Sequence, residues 1–199
     1  MKEPLNVETA SALRRGEAIL RADTAADDHD RALVRAASAG DQAAFEHLYA
    51  RYAPMVHGIL LARVPRTDVD DLVQEVFVAA WQRLGSLREA GAFGGWLAMI
   101  ARNRATDFHR QAVPSCELDE GDASTRRDAD PAGAAIDAAR ALGAIRSLPA
   151  AYRETLVLRL VEGLSGAEIA ARTGLTAASV RVNLHRGMKL LREKLGLAP

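Results

Sequence analysis

Three clusters of polar residues stand out by type and spacing. Near the C-terminus, Arg181, Val182, His185, Arg186, Lys189 and Arg192 share one face of a wheel turning about 100° per residue, with Val180, Leu184, Met188, Leu191 and Leu195 opposite. Guanidinium and ammonium groups neutralise phosphates, and an arginine can present paired donors to a base edge. A basic face with an apolar back is therefore suited to lie against DNA. In FGGWLAMIARNRATDFHRQ, Arg102, Asn103, Thr106, His109 and Arg110 oppose Leu97, Ile100, Ala101 and Phe108. The Asn103 amide offers both donor and acceptor to a base, and Trp96 and Phe93 can stack or pack, which makes a plausible single-strand surface. Trp96 taken alone fits core packing better. In DVDDLVQEVFVAAW, Asp71, Gln74, Glu75 and Val78 form an acidic arc with one apolar member, against Leu72, Val73, Val76 and Ala80. That composition suits a partner-docking face, although charged arcs also occur as solvated surface.

The same carboxylates suggest a second chemistry, a helical metal-dependent hydrolase built on His47, His57, Asp70, Asp71 and Glu75. His47 and His57 show no ligand spacing with the acids, so no metal, cofactor or catalytic residue is expected. The lone cysteine, Cys116, excludes an intrachain disulfide and agrees with a reducing cytoplasm; Pro114, Ser115 and Glu117 give it no partner for metal or nucleophile work. No apolar run reaches the ~18 residues of a membrane span. The opening MKEPLNVETA lacks a signal-peptide core. A soluble cytoplasmic protein without membrane insertion is expected.

The elements that must position these clusters are helical. Only 5% of residues are aromatic and β-branched runs bounded by turns are missing, so the expected class is all-α, with helices packed closely through alanine. Gly174 breaks the apolar rhythm where a positive φ would end one helix, and Thr176 offers a hydroxyl to cap the next. Helices over Gly166 to Thr173 and Thr176 to Leu195 then make a helix-turn-helix. Upstream, Asp41 can cap a helix that Pro65 stops, and further helices are expected from about Thr67 to Leu84, Gly94 to Arg110, Ala134 to Ser147 and Ala150 to Val161, with Pro149 at a helix start. Four segments result: an N-terminal arm, 1–28, read as flexible although a weak helix is possible from Glu8 to Ala22; a helical domain, 29–111; a flexible linker, 112–135; and a C-terminal domain, 136–199.

Charge follows this division. The formal net charge is zero, which at first argues against a nucleic-acid protein. Residues 140–199, however, hold ten Lys and Arg against four Asp and Glu, whereas residues 112–139 hold two against seven. A basic module thus follows an acidic linker, and association between them would make the free protein a poor DNA binder.

In order, DQAAFEHLYARY, DVDDLVQEVFVAAW, FGGWLAMIARNRATDFHR and LPAAYRETLVLRLVEGLSGAEIAARTGLTAASVRVNLHRGMKLL closely resemble the extracytoplasmic-function class of bacterial RNA polymerase sigma factors, over about Asp30 to Leu195. The resemblance implies sigma-70 regions 2 and 4, no enzyme activity, and partners in core RNA polymerase (β′ clamp coiled coil and β flap), promoter DNA as duplex and melted strand, and an anti-sigma factor. It implies polymerase docking through Asp71, Leu72, Gln74 and Glu75. Minus-ten capture would fall to Trp96, Arg102, Asn103, Thr106 and Arg110, and minus-thirty-five reading to Thr176, Ser179, Arg181, Val182, His185, Arg186 and Lys189. Two pairs depart from the family's habit: Val182 and Asn183 replace small polar or basic residues, and Gly94 and Gly95 replace bulkier or polar ones. The alternative is a stand-alone helix-turn-helix regulator binding duplex DNA as a dimer, which leaves the Asp71 and Asn103 surfaces without a task.

Overall fold

A computed structural model of the chain describes residues 28–112 and 133–197. The N-terminal arm, Cys116 and most of the acidic linker lie outside the described residues. Within them the chain forms eight α-helices and no strand: α1 (28–38), α2 (Gln42–Leu61), α3 (Val69–Arg83), α4 (Phe93–Ala112), α5 (Gly133–Arg146), α6 (Ala150–Leu160), α7 (Gly166–Thr173) and α8 (Ala177–Leu195).

Local chemistry sets the helix starts. Asp41 accepts a hydrogen bond from the Ala44 amide at 3.1 Å and begins α2. The 20-residue helix runs through Pro54 and ends at Leu61, before the Pro65 expected to stop it. Ser165 and Glu168 form a reciprocal capping box at α7, with Glu168 accepting from the Ser165 amide at 2.9 Å. That amide and the Ser165 hydroxyl hold the Glu168 carboxyl below its usual range. Gly174 follows α7 with φ +75°, a left-handed conformation that glycine takes without steric penalty. Thr176 then caps α8, accepting from the Ser179 amide at 3.1 Å.

Helices α1 to α4 share a core whose fully enclosed members include Leu48, Met55, Ile59, Leu60, Phe93 and Leu97. The same hydrophobic cluster continues through Leu156, Leu158, Ile169, Val180 and Leu191 of the second domain. Burial of each large aliphatic side chain contributes roughly 1.5–3 kcal/mol. An exposed pair such as Arg104–Glu75 contributes only about 0–1 kcal/mol, so packing rather than surface charge holds each domain together.

The two domains lie against each other, a relationship the sequence left open. Helices α2 and α4 of the first pack on α6 and α7 of the second. Glu154 of α6, almost wholly enclosed, accepts from Arg63 at 2.6 Å and from Arg102 at 2.7 and 3.2 Å. The C-terminal carbonyls of α2 and the turn after it also look across the boundary. Arg146 donates to Leu61 and Val64 at 3.0 and 2.8 Å, and Arg153 to Ala62 at 3.3 Å. Such carbonyls lack intrahelical partners and carry the negative end of the helix dipole, so cations are favoured there. Burial pulls the Arg146 guanidinium below its usual value.

Candidate nucleic-acid interface

Helix α8 presents the basic row it was expected to present. Arg181, Val182, His185, Arg186, Lys189 and Arg192 are exposed, while Val180, Gly187 and Leu191 face inward. Thr176 and Ser179 begin the row, but their hydroxyls lie 2.8 Å apart and are engaged with each other and with the cap. They fix the helix start as well as standing near any ligand. Gly187 escaped the sequence reading. A Cβ there would lie 3.0 Å from Cδ1 of Leu156 and 3.1 Å from Cβ of Tyr152, so its absence lets α8 settle closely onto α6.

Helices α3 and α4 enclose an open groove of about 710 Å³. Asp71, Gln74, Glu75 and Val78 line it from α3, and Trp96 and Asn103 from α4. The surfaces expected to dock polymerase and to capture a strand therefore share one concavity, bridged by Arg104 and Glu75 at 2.6 Å. Leu72 does not join it. Its side chain is 7% exposed and belongs to the core, because it follows the same helical arc as Val73, Val76 and Ala80. The exposed apolar member of this face is Val78, at 56%.

Beyond Val78 lies a shallower apolar surface formed by Phe45, Tyr49, Phe77 and Trp81. The Phe45 and Trp81 rings meet edge-on at 4.8 Å between centroids. Tyr49 and Trp81 are exposed at the surface.

The expected minus-ten set divides. Trp96 is half-buried against Phe93, with ring centroids 5.9 Å apart, and still borders the groove; Asn103 is exposed beside it. Arg102 turns the other way, to Glu154 on α6. Thr106 is exposed and returns its hydroxyl to the Arg102 carbonyl at 3.0 Å, and Arg110 pairs with Asp107. His109, on the same side, lies 2.9 Å through Nε2 from the Arg63 carbonyl.

The residues of the metal-hydrolase alternative do not converge. Among the described residues no group of three or more His, Cys, Asp or Glu is placed to hold a metal. His57 instead meets Glu162, after α6, at 2.7 Å. That hydrogen bond raises the imidazole above its usual value against the opposing effect of burial; Asp70 adds to the rise and Arg66 reduces it. Among the described residues no helix is long and apolar enough to cross a membrane.

Comparison with known proteins connects these surfaces. Residues 48–113 match the model of sigma-70 region 2, and residues 139–191 that of sigma-70 region 4. The chain is similar to the RNA polymerase sigma factor CarQ of Myxococcus xanthus, 38% identical over 167 residues that span 79% of this chain and 92% of that protein. It is similar to the sigma factor CnrH of Cupriavidus metallidurans, 33% identical over 178 residues, or 80% and 91% of the two chains. It is also similar to the ECF sigma-E factor of Escherichia coli, 31% identical over 179 residues, or 83% and 94%. A solved structure of CnrH in complex with the cytosolic domain of CnrY superposes with a TM-score of 0.61 at 31% identity, covering 86% of this chain and 99% of that one. The α3–α4 groove falls within the region 2 match and the basic row of α8 within region 4 as far as Leu191, and with relatives of this identity spanning both, the chain belongs to the extracytoplasmic-function class of the sigma-70 family.

Proposed function

We propose a division of labour within this alternative sigma factor, which binds core RNA polymerase and directs promoter recognition, melting and transcription initiation. Residues 29–111 form the unit that docks on polymerase and captures the melted minus-ten strand. Residues 136–199 read the minus-thirty-five duplex, and residues 112–135 connect the two. Asp71, Gln74 and Glu75 dock on the β′ clamp coiled coil, with Val78 as their apolar neighbour and Leu72 holding the face from beneath.

Asn103 and Trp96 take an extruded base of the minus-ten element, and Arg102, Thr106 and Arg110 steady its backbone. Opening duplex costs on the order of 1.4 kcal/mol per step in stacking, and capture of a flipped base offsets part of that. On α8, Arg181 and Arg186 read base edges, each good bidentate contact discriminating by about 1–3 kcal/mol. Val182 and His185 complete the reading row. Lys189 positions the helix on phosphate, and Thr176 and Ser179 hold its start. The second domain also meets the β flap. The chain performs no covalent chemistry itself and acts in the cytoplasm.

The observation that carries this reading is the coexistence of an exposed basic row on α8 with an acidic and amide-lined groove between α3 and α4. A stand-alone duplex binder has no use for the second surface. An anti-sigma partner is part of the proposal, supported by the CnrH structure, which holds the cytosolic domain of CnrY. Transcription by purified core polymerase with and without this chain, followed by sequencing of transcript ends, tests the function. New starts that share minus-ten and minus-thirty-five elements are expected; equal duplex binding and no new starts with polymerase present would refute it.

A further inference from the structure

Among the large apolar side chains exposed at the surface, Val182, at 44%, is the one that belongs to α8. It stands in the basic row, one residue after Arg181 and four before Arg186. Residues four apart lie one above the other on a helix, so the row divides into two stripes. Arg181, His185 and Lys189 make a basic one. Ala178, Val182 and Arg186 make another, apolar at its first two members and cationic at the third, and all six side chains are exposed.

Packing does not account for an apolar residue at 182. The packed face of α8 runs through Val180, Gly187 and Leu191, and a β-branched side chain is a weaker helix former than alanine. A lone exposed valine is ordinary on a protein surface; the place of this one is not. It is the sixth residue of α8, and the N-terminal residues of the second helix are those that meet base edges when a helix-turn-helix docks. The hydroxyls at the helix start are engaged with each other and with the cap, Thr176 accepting from the Ser179 amide at 3.1 Å.

In the major groove thymine is the base that presents a methyl group, whereas cytosine presents an amino donor. Valine holds its methyls in one strongly preferred rotamer in a helix, so it meets a thymine methyl at little cost in side-chain freedom. It offers no acceptor to a cytosine amino group, which would stay unpaired. Arginine favours guanine. At 1.5 Å rise per residue, Val182 and Arg186 are about 6 Å apart along the axis, less than two base-pair steps of about 3.4 Å.

We infer that Val182 is a specificity-determining residue of the minus-thirty-five reader: it selects a thymine through the C5 methyl, close beside the guanine taken by Arg186, and Ala178 prolongs the apolar contact. The inference rests on the proposed reading of duplex by α8 and names the base.

Holoenzyme assembled from core polymerase and the full chain is offered a duplex promoter library randomised across the minus-thirty-five element, and the bound sequences are read. The enriched element should hold a thymine and a guanine within about two base-pair steps of each other. That thymine is then replaced by deoxyuridine, which removes the methyl and keeps the pairing. Affinity should fall by about fourfold, as expected when one methyl-sized group leaves an apolar contact, and cytosine there should cost more. Val182→Ala, which raises helix propensity and so keeps the fold, should bind thymine and deoxyuridine alike. Arg186→Ala should lose the guanine preference and keep the methyl effect. An enriched element without thymine, unchanged affinity on deoxyuridine, or a methyl effect that survives Val182→Ala would overturn the assignment. New starts without enrichment of any minus-thirty-five element would overturn it through the duplex-reading role of α8 itself.

Discussion

Gly187→Val is expected to weaken promoter reading without touching a DNA-facing side chain. An added Cβ would lie 3.0 and 3.2 Å from Cδ1 and Cγ of Leu156 and 3.1 Å from Cβ of Tyr152. Leu156 is fully enclosed and has little space to yield. Alanine at this position would recover up to about 1 kcal/mol of helix propensity, which partly offsets the crowding. Valine adds two methyl groups on a branched carbon, and overpacking of this kind costs about 1–3 kcal/mol. The relief is outward displacement of α8, which moves Arg181, Val182, His185 and Arg186 together. Every base contact then suffers at once, so transcription should fall by about tenfold or more at each member of a minus-thirty-five variant panel, as expected from 1–3 kcal/mol per bidentate contact. In vitro transcription with core polymerase on that panel, with urea midpoints for stability, supplies the measurement. Wild-type midpoint and wild-type transcription would refute the close seating of α8 on α6. A loss confined to one promoter position would refute the rigid-row argument.

Asp71→Lys combined with Glu75→Lys should abolish co-purification of core polymerase while circular dichroism stays unchanged, since both side chains are exposed; retained binding would sink the docking assignment. Arg186→Ala should lose about 1–3 kcal/mol of promoter affinity in a manner that depends on upstream sequence, whereas Lys189→Ala should weaken all sequences alike and reduce the salt slope by about one. His57 and Glu162 give the domain boundary a pH dependence. Because the His57 pKa is raised in the folded chain, its stabilisation is complete below the ordinary histidine value and is lost as pH rises through the raised one. Thermal midpoints from pH 6 to 8.5 should therefore fall more in the unsubstituted chain than in His57→Gln, and parallel curves would count against the clasp.

Helix identity and order were legible because apolar spacing and cap chemistry are local. Asp41, Gly174 and Thr176 each do what their types dictate within a few residues. The basic face of α8 and the acidic arc of α3 followed from the same periodicity. Arg102 was misleading in one respect: its place on a polar arc says nothing of Glu154, 52 residues away, which it meets only because α6 packs on the first domain. Leu72 shows the converse, since periodicity put it in the core and resemblance drew it onto the face. Gly187 was invisible as a functional position, and Gly94 and Gly95 showed only as departures from the family's habit, because a glycine's value lies in the neighbour it admits, and neighbours across a fold leave no local signal.

The end of α2 holds a further consequence. Arg146 and Arg153 lie on its terminal carbonyls and those of the turn beyond, and Arg63 and Arg102 lie on a single carboxylate. In this form the four guanidiniums donate to main-chain carbonyls and one acid, which leaves fewer of their N–H groups for small anions than solvent-facing arginines have. Separation of the domains would uncover all four together and leave them to solvent and small anions. By mass action, rising concentrations of anions that bind arginine would favour that separation. A chain of zero formal charge would thereby acquire an ionic-strength-dependent shape, expected to register as a radius of gyration that grows with salt.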